Sequence, residues 1–98
     1  MTLLVLAFDY PAPQGPERRK ACRQDHLKLG EKLYAEGKWL WAAGILNEAS
    51  ELIGSIIICD FSSKEALQQE WLNREPYLVN QVWEKVEIHP IRPAPFMK

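Results

Sequence analysis

Lys38–Phe61, KWLWAAGILNEASELIGSIIICDF, holds two strand-forming runs separated by a polar break, and its reading decides the fold. Alternation along Lys38–Leu46 (KWLWAAGIL) puts Trp39 and Trp41 on one face of a strand and Leu40 on the other. Gly54–Phe61 (GSIIICDF) carries the β-branched trio Ile56-Ile57-Ile58, side chains that fit a pleated, buried surface. Asn47–Ile53 between them reads as a loop. Two strands in succession, rather than a strand and a helix, therefore sit at the middle of the chain.

The flanks supply the rest of the order. Thr2–Phe8 (TLLVLAF) is a continuous apolar run ending at Asp9 and a segment with Pro11, Pro13, Gly15 and Pro16. That is a buried strand followed by an irregular loop. Glu17 to Glu36 reads as a helix: Cys22, His26, Leu29 and Leu33 recur at helical spacing, and Gly37 stands where a helix C-terminus needs a left-handed residue. Gly30 inside it costs about 1 kcal/mol relative to alanine and suggests a close approach of backbone to the sheet. Ser62 and Glu65 form a capping box for a second helix bearing Ala66, Leu67 and Trp71. Arg74-Glu75-Pro76-Tyr77 is a punctuation, with proline suited to a new first turn. Val82–His89 (VWEKVEIH) alternates as a last strand, with Val82, Val86 and Ile88 on one face, and residues 90–98, with three prolines, read as an extended tail.

Strand–helix–strand–strand–helix–strand is the split βαβ order of a ferredoxin-like βαββαβ sandwich, an α+β fold. Right-handed crossovers place both helices on one face of the sheet. Strands one to three nevertheless carry apolar residues on both faces, where a sheet wetted on one side would alternate. A second copy of the chain is the expected cover, giving a homodimer through the uncovered sheet face.

Composition narrows the function classes. The chain of 98 residues suits one domain, 1–98, and its formal charge of −1 provides no basic excess to attract nucleic acid or an anionic membrane. Arg18-Arg19-Lys20 reads as a solvated helix face. Cys22 and Cys59 lie far apart without a CxxC, which favours unbridged thiols and a cytoplasmic setting over zinc or a disulfide. Met1–Phe8 is too short and lacks the basic start of a signal peptide, and no apolar run reaches membrane-spanning length.

The best pointer to chemistry is His26, a titratable imidazole where a core stripe would carry Leu or Ile. A carboxylate would orient it and make a general acid/base near neutral pH. Glu75 is the first candidate, in the turn before the last strand and beside Tyr77; Asp25 is the second. Arg23, Ser55 and the backbone amides around Gly44 and Gly54 are candidate contacts to a substrate oxygen. His89 beside Pro90 reads as a surface residue, and the four tryptophans as core and interface.

Arg23-x-x-His26-Leu27, the run Glu36-Gly37-x-Trp39-Leu40 leading to Ala43-Gly44, Gly54-Ser55, and Glu75-Pro76-Tyr77 before Val82–Ile88 together resemble the YciI-like (YCII-related domain) family. The resemblance spans nearly the whole chain, through motifs that are each short. It implies a dimeric α/β barrel of ferredoxin-like subunits, akin to muconolactone isomerase, and a His/Asp-centred acid–base site. A family member acting in chloroaromatic breakdown eliminates chloride from a hydroxylated ring. His26 matches the family histidine and Tyr77 the tyrosine of the usual Asp-Pro-Tyr; this chain departs from it with Glu75, one methylene longer than aspartate. The loop Asn47–Ile53, shorter than in many relatives, carries Glu48 and Glu51 and is expected to shape the pocket.

Three readings compete. The first is an acid–base enzyme of lyase or isomerase type, with His26 and Glu75 catalytic and Arg23, Ser55 and Tyr77 binding a small polar or hydroxylated cyclic molecule. The second is a non-catalytic ligand-binding or assembly module with a structural His26. The third makes Cys22, His26 and a carboxylate metal ligands. Without a stronger ligand cluster or a phosphate-cradling glycine loop, neither metal nor organic cofactor is expected.

Overall fold

An apolar run with no polar face belongs inside a sheet, and Thr2–Asp9 (β1) lies there in the computed structural model, which describes residues 1–97. The remaining elements are α1 (Gln14–Ala35), β2 (Trp39–Leu46), β3 (Leu52–Asp60), α2 (Lys64–Glu70), α3 (Pro76–Val79) and β4 (Trp83–Pro90), with a 3-10 turn over Leu72–Arg74. The sheet has the order β2-β3-β1-β4. Every neighbouring pair is antiparallel, as Leu4 opposite Ile58 and Val5 opposite Ile88 show on the two sides of β1. This is the ferredoxin-like α+β arrangement.

One core lies between sheet and helices. Leu3, Val5 and Ala7 of β1 and Ile57 and Cys59 of β3 are closed off under Leu33 of α1, Leu67 of α2, and Trp71. The stop of α1 is a Schellman motif: Lys38 N–H donates to Leu33 O at 2.8 Å and Gly37 N–H to Tyr34 O at 3.0 Å. Gly37 takes φ 74° there, a conformation that an L side chain resists.

Several local expectations are corrected. Trp39 and Trp41 lie on opposite faces, because the β2–β3 register shifts at Leu40: Trp39 opposes Cys59 and Trp41 opposes Ile58. Trp39 is thereby buried beneath α1, and a Cβ added at Gly30 would stand 2.5 Å from its Cζ3. Helix α1 starts at Gln14 rather than Glu17, since Pro16 falls in the first turn, where the missing N–H costs no helical bond. The cap of α2 is Ser63, not Ser62; its Oγ accepts from Ala66 N–H at 3.0 Å, and alanine there cannot return the second bond of a capping box. Strand β3 begins at Leu52, two residues early, because Asn47 Oδ1 closes the turn by accepting from Ala49 and Glu51 N–H at 2.9 and 3.0 Å. Strand β4 runs one residue later than expected, and Ile91 N–H still donates to Thr2 O.

The opposite sheet face is uncovered by any helix among the described residues. It presents Leu4, Leu6, Phe8, Ile56, Ile58 and an exposed Trp41, while β4 adds the polar border Lys85, Glu87 and His89. No helix among the described residues is long and apolar enough to cross a membrane.

Candidate functional site

The buried stripe of α1 is Gly15, Arg19, Cys22, His26, Gly30 and Leu33, so an arginine as well as a histidine faces the core. Against it stands Glu75, with no exposed surface. The chain turns through Leu72–Arg74, and Glu75 becomes the N-cap of α3 with Pro76 at the first helical position. Its Oε2 accepts from Tyr77 N–H and from His26 Nδ1, each at 2.8 Å, and its Oε1 accepts from Trp71 Nε1–H at 3.0 Å. A carboxylate only accepts, so Nδ1 is the protonated ring nitrogen of the neutral histidine. His26 Nε2 has no partner among the described residues, and it bears the lone pair whenever the ring is neutral.

Aromatic rings fix the imidazole. Tyr77 stacks on it at 3.7 Å with planes 8° apart, while Trp39 and Trp83 stand at 5.8 and 6.3 Å. The indole N–H groups of Trp39 and Trp83 find no acceptor among the described residues, so these side chains serve the site by packing alone. Burial raises the pKa of the Tyr77 phenol, and the nearby Arg19 and Arg23 charges only partly oppose this. Tyr77 is therefore a hydroxyl, able to donate to a ligand oxygen.

Arg19, expected on a solvated face, is instead buried and committed. Its Nε and Nη2 donate to the two Asp9 oxygens at 2.7 and 3.0 Å, and Nη2 also reaches Gly54 O and Ser55 Oγ at 3.1 and 3.3 Å. Its guanidinium lies 4.6 Å from the Tyr77 ring centre. Burial alone would lower its pKa, but the hydrogen bonds and charge of Asp9 more than offset this and hold it above the usual arginine value.

These groups border a cavity of about 250 Å³. Arg23, His26, Ser55 and Tyr77 are on its wall, with Trp39 and Leu52 among the apolar lining; Glu75 stands one layer behind His26. Gly44 also lines it, whereas Gly54 serves through its carbonyl, as acceptor to Arg19 rather than as donor to a ligand. Leu52 is the loop expectation's only residue on this wall; Glu48 and Glu51 are not there. Asp25 lies elsewhere on α1, in a cleft with Arg18 and Asn80. Cys22 donates its thiol hydrogen to Arg18 O at 3.2 Å, and no three His, Cys, Asp or Glu side chains among the described residues are grouped to hold a metal ion. His89 pairs with Glu87 on the far sheet face.

Sequence reasoning missed Arg19, Asp9 and the Trp71 indole. Arg19 could have been found, because it precedes His26 by two helical turns on the same stripe; reading it within a basic triplet hid that phase.

The assembly defines a small ferredoxin-like protein with a buried histidine–carboxylate pair at the wall of a cavity. The chain belongs to the family of the YCII-related domain, which matches residues 1–92. It is similar to Protein YciI of Escherichia coli O6:H1 and to Protein YciI of Shigella flexneri, each 33% identical over 96 residues and covering 92% of this chain and 97% of the relative. In fold it is similar to 5-chloro-2-hydroxyhydroquinone dehydrochlorinase from Burkholderia phenoliruptrix, solved with 2,5-dihydroxybenzoquinone, at a TM-score of 0.81, 17% identity and 96% coverage of both chains. A NIPSNAP domain protein from Burkholderia xenovorans shares the fold more distantly, at a TM-score of 0.52 and 18% identity over 100% of this chain and 99% of that one.

Proposed function

We propose that this protein is a small-molecule acid–base enzyme of lyase or isomerase type, acting on a hydroxylated single-ring compound. The supporting observation is the orientation of His26: Nδ1 is tied to the buried Glu75 carboxylate, and Nε2 is left free on a residue that lines the cavity. In this reading Nε2 takes a proton from the ring and returns it at another atom, while Glu75 stabilises the transient imidazolium. Tyr77 and Ser55, whose Oγ accepts from Arg19 and so keeps its own hydrogen to donate, hold the ring oxygens. The fold's likeness to the dehydrochlorinase supports the substrate class.

Residues 1–98 act as one domain in this reading, in a homodimer through the uncovered sheet face, and the free thiols support a cytoplasmic setting.

His26→Asn tests the proposal, because an asparagine amide can still donate to Glu75 but has no Nε2. With 2,5-dihydroxybenzoquinone in D2O, wild-type protein is expected to accelerate exchange of the ring C–H protons. The variant should lose about a hundredfold or more of that acceleration while staying folded and binding the ring. A second reading, ligand binding with a structural His26, is favoured by how tightly the aromatic rings enclose the imidazole, which is 8% exposed. Binding without any exchange in the wild type would support it.

A further inference from the structure

The cavity wall is unbalanced in charge. Arg19 is spent on Asp9, and Nδ1 of His26 on Glu75. No aspartate or glutamate lines the cavity, and Asp25, the acid nearest Arg23 in sequence, opens into the cleft with Arg18 and Asn80. Of the three basic side chains on this wall, Arg19, Arg23 and His26, only Arg23 has neither an ion pair nor a side-chain hydrogen bond among the described residues. It is an exposed guanidinium at the rim of a pocket that is otherwise largely apolar.

Size limits what could answer that charge. A dry cavity of about 150 Å³ holds benzene. The cavity here, about 250 Å³, has room for one ring and its substituents but not for a nucleotide. A guanidinium offers a planar fork suited to a pair of oxygens on one carbon.

We propose that the ligand is a monocyclic anion, its ionised oxygens held by Arg23 and a second ring oxygen presented to His26 Nε2 and the Tyr77 hydroxyl. This rests on the proposed function and narrows its substrate class from hydroxylated rings to anionic ones. The charge of Arg23 already reaches this position, since it acts against the burial that raises the Tyr77 phenol. Arg23 is thereby a recognition group and takes no part in proton transfer.

The test uses 2,5-dihydroxybenzoate and its neutral isostere 2,5-dihydroxybenzamide, titrated calorimetrically into wild-type protein and Arg23→Gln. The wild type is expected to bind the carboxylate about tenfold or more tighter than the amide. Arg23→Gln should erase that preference, weakening the carboxylate far more than the amide, as the loss of a charge-assisted contact requires. A preference that survives in Arg23→Gln, or equal wild-type affinities, overturns the assignment. If the affinities are equal while His26→Asn still abolishes proton exchange, the anion assignment fails alone. If neither compound binds, the anion assignment fails, and the proposed function falls with it only where the wild type also gives no proton exchange on 2,5-dihydroxybenzoquinone.

Discussion

A carboxylate without exposed surface must find donors for its oxygens, and Glu75 finds three: an indole four residues earlier, an amide two residues later and an imidazole on another helix. The first two are local and hold the carboxylate whether or not His26 is present; the third converts that fixed group into an orienter of the site. Arg19 and Asp9 are the structural counterpart. Arg19→Met leaves Asp9, only 4% exposed at its side chain, buried without its partner, and is expected to cost about 3–5 kcal/mol in urea unfolding. A loss under 1 kcal/mol would remove the pair from the scaffold. The thiols give a pH prediction. Burial, then the charge of Asp60, pushes Cys59 up to about 12, and Cys22 is also raised by burial. The folded state therefore favours the neutral thiol. This contribution to stability is complete below the unfolded cysteine value near 9 and is lost as pH rises from there toward 12. Iodoacetamide at pH 8 should leave Cys59 unlabelled until denaturant is added; rapid native labelling would contradict its placement. At this scale His26 and Glu75 were legible, because a polar residue on an apolar stripe and an acid before Pro-Tyr both break a pattern. Arg19 was not, because a charged side chain among charged neighbours breaks none.

Elements show where periodicity carries and where it fails. All four strands and the long helix follow from their apolar patterns, and Gly37 marks the helix end through a left-handed backbone requirement. The phase of Trp39 against Trp41 could not be read, since a one-residue bulge reverses the faces without changing the composition of the strand. Nor could the cap of α2 be assigned between Ser62 and Ser63, which differ only in which hydroxyl meets Ala66 N–H. Gly30 sits where α1 meets the displaced indole, and it supplies the element-scale prediction. Gly30→Ala gains about 1 kcal/mol of helix propensity but drives a methyl into the buried Trp39 ring, an overpacking cost of about 1–3 kcal/mol. A lower unfolding midpoint with a shifted Trp39 environment is expected; a more stable protein would show that the helix stands farther from the sheet.

At the scale of the whole molecule the split βαβ order determined the topology, because few chain paths connect those elements with right-handed crossovers. Two-sided apolar strands likewise announced the uncovered face. On the homodimer proposed above, sedimentation should give a species of twice 11.3 kDa, and Ile56→Lys, placing a charge on that face, should shift it to monomer. A wild-type monomer with ordered structure would contradict it. What the fold accomplishes is to bring residue 26 of one helix against residue 75, in the turn before α3, with one imidazole nitrogen tied and the other on a residue that lines a cavity. Long-range 1H–15N correlation of the histidine rings, at a pH where His26 is neutral, tests that arrangement most directly, with exposed His89 as the internal comparison. The expected spectrum has the proton of His26 on Nδ1 and a bare Nε2 whose shift responds to added 2,5-dihydroxybenzoate; a proton on Nε2 with Nδ1 bare would contradict it.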